Sequence, residues 1–146
     1  MKTYDSTLEI SASATQVWAV LTDFASYAVW NSALPRLSGD LGVGNTLSMD
    51  LDLGGKRMAV TADVQELEPG RSFSWKGKLG AEVLFTGRRE FTVADDGPGT
   101  STFRHVESLS GLIVPVFLLA KGKAVGEHHH GFNRSVKQRA EELAGR

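Results

Sequence analysis

The chain has no cysteine, which excludes a disulfide framework, a thiolate metal site and a thiol nucleophile. It has no excess of either charge. The net charge is −1, with acidic and basic residues interspersed, and this argues against an electrostatic grip on nucleic acid. It has no long hydrophobic run. The stretch from Leu112 to Ala120 is interrupted by Pro115 and falls short of the about 20 apolar residues that span a bilayer. Met1 to Asp5 shows no apolar secretion signal, and together with the missing cysteine this leads us to expect a cytoplasmic protein. There is no repeat, low-complexity tract or linker, so one domain is expected over residues 1–146. A Gly-x-Ser-x-Gly elbow is missing, and Gly42-Val43-Gly44 lacks the strand-then-helix context of a phosphate loop. Ser108 and Ser110 lie near Glu107 and His105, but successive strand residues face opposite sides of a sheet.

What is present is 41% hydrophobic and 23% charged, ordinary for a globular domain with its own core. The last third organises it. From Pro115 to about Leu143, Val125, His129, Phe132, Val136, Ala140 and Leu143 recur at steps of three or four and share one helix face. Upstream, Asp5 to Ser11 alternates as a strand. Ser13 is an N-cap for a helix that carries Val17, Trp18, Leu21 and Phe24 on one face and ends near Tyr27. Trp30-Asn31 with Ala33-Leu34-Pro35 reads as a second short helical turn. Thr46 to Leu53 and the stretch bearing Met58, Val60, Ala62 and Val64 are strands joined by a Gly54-Gly55 hairpin. Ser72 to Leu79, Glu82 to Val93 and Thr100 to Leu109 complete the strands, with Asp95 to Gly99 the strongest loop signal.

One strand, two short helices, a run of hairpin strands and one long amphipathic helix define an α+β chain. Such a helix buries its stripe by lying across the concave face of the sheet. This order resembles the helix-grip fold of the START/Bet v 1-like superfamily, and within it the polyketide cyclase/dehydratase-like (SRPBCC) family: a curved antiparallel sheet of about seven strands wrapped around a long C-terminal helix. The resemblance is carried by Ile10 to Trp18, Asp23 to Tyr27, Trp30-Asn31, Gly87 to Val93, Phe103 to Gly111 with Pro115, and Gly131-Phe132-Asn133 leading to Lys137 and Glu141. It covers almost the whole chain. It specifies the fold far more closely than the function, because the family hosts ligand carriers, cyclases and hydrolases.

The resemblance implies a tunnel between sheet and helix that takes a small, mostly hydrophobic ligand, whether aromatic, polyketide- or lipid-like. Its expected apolar lining is Phe24, Trp30, Leu47, Met49, Leu51, Met58, Val60, Trp75, Phe85, Phe91, Phe103 and Phe132. The alternative is that these side chains fill a closed core. The polar candidates are Arg89, His105, Glu107 and His129, both as ligand contacts and, in a cyclase/dehydratase-type alternative, as catalytic groups. Counting back from the 95–99 loop sets Arg89 nearly opposite His105, with Glu107 one diagonal step away. Buried charge requires a partner, so Arg89 and Glu107 are expected to meet, either as a self-satisfied ion pair or as a ligand contact. The family commonly carries His where this chain has Arg89, and the departure favours a ligand bearing a carboxylate or enolate.

His129 interrupts the apolar stripe and has the titration range of a general base, although a lone helix histidine also serves structure alone. The run His128-His129-His130 is not read as a metal site. Consecutive helix residues point about 100° apart, and residues 132 to 134, four positions on, offer no histidine. No metal or cofactor is expected; adventitious metal at an exposed His128/His130 pair is the exception. The expected partner is a small hydrophobic ligand, with no nucleic acid and no membrane span, on a monomer or homodimer. Gly122, Gly126 and Gly131 each cost a helix interior about 1 kcal/mol. They mark a first helical half that bends, unless the helix starts only after Gly126. The mouth of the tunnel is therefore expected between Gly111 and Gly126, the Gly54-Gly55 hairpin and the Leu79-Gly80-Ala81 turn. A third reading is a protein-interaction module that docks through Leu112 to Leu119.

Overall fold

The computed structural model describes residues 1–78 and 81–145. Alternation becomes pairing in every predicted strand except the start of one, Glu82 to Phe85. The strands are β1 (Lys2–Ile10), β2 (Arg36–Ser38), β3 (Thr46–Leu53), β4 (Lys56–Glu68), β5 (Ser72–Lys78), β6 (Thr86–Gly97) and β7 (Thr100–Ser110). They form one curved antiparallel sheet in the order β1-β7-β6-β5-β4-β3-β2. Helices α1 (Ala14–Thr22) and α2 (Tyr27–Trp30) follow β1, and α3 (Val114–Ala144) closes the chain. Ser13 caps α1 through a reciprocal capping box with Gln16, which satisfies two of the otherwise orphaned donors at the helix start.

Several boundaries differ from the sequence expectations. β1 starts at Lys2 and stops before Ser11, because its partner β7 supplies pairing from Leu109 to Ser101. α1 ends at Thr22, and a single 3-10 turn over Phe24–Ser26 separates it from α2. β2 has no counterpart in the sequence reading; three residues at the sheet edge, paired with β3, carry too short a pattern to show. Glu82 to Phe85 is not strand. The chain turns there, with Leu84 N–H bonded to Ala81 O and Val83 65% exposed. The 95–99 segment is mostly strand, and β6 runs to Gly97 with a register irregularity between Asp95 and Gly97. That irregularity shifts the hairpin, so Arg89 stands opposite Glu107, and Phe91 opposite His105. Leu79 and Gly80, two of the three residues of the expected mouth turn, lie outside the described residues.

α3 is one continuous helix of 31 residues, not one that begins after Gly126. Its first half is poorly covered. From Pro115 to Ala124 no residue is fully buried, and Val116 and Leu119 are largely exposed. From Val125 the stripe of His128, His129, Phe132, Asn133, Val136 and Ala140 is buried. Two apolar clusters result. The larger packs α1, Tyr27, Phe73, Phe91 and Phe103 against Phe132, Val136 and Ala140. The smaller gathers Leu53, Phe85, Leu109, Val114 and Val125.

Candidate functional site

The boundary between the two clusters is polar. Arg89 (β6), His105 and Glu107 (β7), and His128, His129 and Asn133 (α3) are all buried. β6 and β7 pair in register, and both direct these residues inward, where the second half of α3 crosses them. Arg89 Nη2 lies 3.4 Å from Glu107 Oε2 and donates to His128 Nε2 at 2.5 Å. Since Nε2 accepts, His128 donates from Nδ1 to the Asp52 carbonyl, at 3.0 Å. Glu107 Oε1 lies 3.3 Å from His129 Nδ1, and His129 Nε2 lies 2.9 Å from Ser6 Oγ. His105 Nδ1 donates to Asn133 Oδ1 at 2.9 Å.

These contacts set the protonation states. Burial alone would raise the Glu107 carboxyl, but Arg89 and the hydrogen bond from His129 hold it well below the usual carboxylate range. Burial, reinforced by the Arg89 charge, pushes His128 down to about 4 and His105 well below the ordinary imidazole value. An ionised carboxylate only accepts, so the Nδ1 of His129 carries hydrogen and donates to Glu107.

His105, Glu107 and His129 bring one nitrogen or oxygen each within 4.8 Å of one another. The grouping does not suit one ion. An imidazole binds a metal in the plane of its ring, and the His105 and His129 rings are stacked, with centroids 4.3 Å apart and planes 21° from parallel. Their lone pairs run side by side instead of converging. His128, expected at the surface as half of an adventitious metal pair, is buried and committed to Arg89; His130 alone is exposed.

On the side of the smaller cluster this polar belt borders a cavity of about 70 Å³, partly open to solvent. Met49, Leu51, Met58, Val60, Trp75 and Phe85 of the predicted lining face it, with Arg89 and Glu107 at its polar wall. Phe24, Leu47, Phe91, Phe103 and Phe132 do not; they are core. The reason is mutual stacking: Phe91 lies 4.8 Å from Phe73, 5.0 Å from Trp75 and 5.4 Å from Phe132, centroid to centroid. Trp30 packs on Tyr27 at the rim of that core. His105 and His129 also lie outside the lining. The sequence reading missed Leu109, Phe117, Val125 and His128, and above all Gly77 and Gly87. These two glycines pair directly across β5 and β6, so the sheet floor lacks two side chains at one spot. Their strand phase relative to Trp75 and Arg89 was the available signal.

The family described as polyketide cyclase / dehydrase and lipid transport matches residues 1–141. No curated protein sequence matches the chain. Among solved structures, a START superfamily protein from Mycobacterium smegmatis aligns with a TM-score of 0.77 at 21% identity, covering 97% of this chain and 98% of that one. The Zhui aromatase/cyclase from Streptomyces sp. R1128 aligns with a TM-score of 0.78 at 16% identity, covering 96% and 93%. Norcoclaurine synthase from Thalictrum flavum, solved in complex with dopamine and hydroxybenzaldehyde, aligns with a TM-score of 0.71 at 15% identity, covering 97% and 87%. At these identities the likeness is one of fold.

Proposed function

This chain belongs to the polyketide cyclase / dehydrase and lipid transport family, and from that premise we propose that it binds a small, mostly hydrophobic molecule carrying one acidic or enolic oxygen. One observation carries the reading. Arg89 spends Nη2 on Glu107 and His128, while its buried Nη1 has no partner among the described residues and the residue borders the cavity. A buried donor without an acceptor costs about 1–3 kcal/mol, and a ligand oxygen placed there recovers it. The remaining wall is aliphatic and aromatic, which suits a flat or chain-like hydrocarbon body.

At about 70 Å³ the cavity is less than half of the roughly 150 Å³ that takes up benzene in an engineered core. Binding therefore requires the wall to yield. The weakly buried first half of α3, with Val116 and Leu119 exposed and Phe117 against the cavity, is the part that can move. Carriage is favoured over cyclase-type chemistry because the bases at the cavity wall are occupied: His128 Nε2 accepts from Arg89, and Glu107 is shared by Arg89 and His129. A cytoplasmic location fits the cysteine-free chain. The test is calorimetric titration with 2-naphthoate and with 2-naphthamide, which match in size and differ in charge. The acid should bind at least tenfold more tightly, and equal affinities would refute the Arg89 anchor.

A further inference from the structure

The same polar belt reaches a second surface, lined by other residues than the cavity. Ser6, Thr7 and Leu8 of β1 and His130, Asn133 and Arg134 of α3 line an open groove beside the edge strand. Ser6 is half-buried there. Its Oγ lies 2.9 Å from His129 Nε2, and His129 Nδ1 lies 3.3 Å from Glu107 Oε1. The order of atoms matters. With Nδ1–H committed to the carboxylate, neutral His129 has its lone pair on Nε2, so the serine hydroxyl donates to the ring. This is the nucleophile–base–orienter relation of acyl-transfer enzymes, recognised by geometry and not by sequence order. The orienter is itself held, since Glu107 Oε2 faces Arg89. The groove also has donors for a developing oxyanion: Asn133 is 2% exposed with an Nδ2 that has no partner among the described residues, and Arg134 is exposed at the rim.

We propose that Ser6, His129 and Glu107 form an acyl-transfer site, opening on the β1–α3 groove, that cleaves small carboxylic esters. Ser6 Oγ attacks the carbonyl carbon and its proton passes to His129 Nε2. The C–O bond to the leaving group then breaks, and that proton goes to the departing alkoxide, giving an acyl-serine and an alcohol. Water, deprotonated by His129, attacks the acyl-serine and releases the acid, and the proton returns to Ser6. Ser6 and His129 are the catalytic residues. Glu107 is a positioning residue that fixes the His129 tautomer and stabilises the imidazolium. Glu107 also stands in the cavity wall, but the groove and the cavity have no lining residue in common, so the labelling test below and the naphthoate titration can fail independently.

The test uses the intact chain and a fluorophosphonate probe, which forms an Oγ–P bond and expels fluoride, followed by peptide mapping of the adduct. The expected result is a single adduct on Ser6, absent in Ser6→Ala and unchanged in Ser108→Ala, whose side chain is on the opposite face of β7. The same Ser6→Ala substitution should remove at least nine-tenths of p-nitrophenyl acetate hydrolysis. No adduct on the wild-type chain, or an adduct on any other residue, overturns the proposal without recourse to a variant. The groups facing His129 are Glu107 and His105 from β7, Tyr4 and Ser6 from β1, Arg89 from β6 behind Glu107, and His130 on its own helix. In Glu107→Gln the labelling rate should fall at least tenfold, and Glu107→Asp, which keeps the carboxylate, should recover part of it. An undiminished rate in Glu107→Gln, or no recovery in Glu107→Asp, would contradict the positioning role.

Discussion

The two ends of the space between sheet and α3 are built on opposite principles. Beneath the second half of the helix the core is a cluster of rings: Tyr27, Phe73, Phe91, Phe103 and Phe132 are at most 1% exposed and pack on one another. Beneath the first half, two facing glycines hollow the floor and the helix above carries apolar residues into solvent. A continuous helix thus spans a region optimised for packing and one that is not. Packing and the proposed binding are separated along one helix, with the Arg89–Glu107 pair at the boundary between them.

The largest expected contrast is in stability. Phe91→Ala opens a hole in a solid cluster and should cost about 3–5 kcal/mol by urea unfolding. Phe85→Ala enlarges a hollow that already exists beside solvent and should cost about 1–2 kcal/mol. Equal losses would erase the distinction between the two halves.

Next is acid lability, which belongs to the boundary. His128 has a folded pKa of about 4 against the ordinary imidazole value of 6.5, so between those values the unfolded chain binds more protons than the folded one. Stability is then full above about pH 6.5 and falls as pH drops toward 4, by roughly 3 kcal/mol from this group. His105 shifts in the same direction. Glu107, whose folded carboxyl is also depressed, adds a further loss below the ordinary carboxylate range. Chemical unfolding at pH 7.5 and 4.5 measures the drop, and an unchanged midpoint would mean that the belt is solvated.

A smaller effect sharpens the comparison along α3 itself. Amide exchange should be faster from Val116 to Ala124 than from His129 to Ala140. Gly122→Ala, whose added methyl meets only Leu118 Cβ at 3.9 Å, should slow the first segment by about fivefold, the equivalent of about 1 kcal/mol. Uniform strong protection from Val116 onward would rule out a yielding wall.

The fold was legible because the alternating residues are strongly patterned and the Gly54-Gly55 turn and the α3 stripe are unambiguous. Failures came where geometry turns on a single residue. The irregularity between Asp95 and Gly97 moved Arg89 from a place opposite His105 to one opposite Glu107. Glu82 to Phe85 alternates like a strand yet turns, because its backbone bonds to itself and to Leu112 and Ile113. The pairing of Arg89 with Glu107 followed from phase and the cost of unpaired charge. Which histidine meets Arg89 did not, since about 100° of helix rotation separates His128 from His129. Ser6 was unreadable as a partner of His129, because they stand 123 positions apart and a strand serine carries no local mark.

The hollow half is tested most directly by filling it. At Gly87 an added Cβ meets only Leu109 Cδ2, at 3.5 Å, so Gly87→Leu can occupy the cavity without disturbing the strand. Calorimetric titration of 2-naphthoate into both proteins should show one site in the wild type and none in Gly87→Leu, with the unfolding midpoint of the variant equal or higher. Undiminished binding by the filled variant would contradict the account.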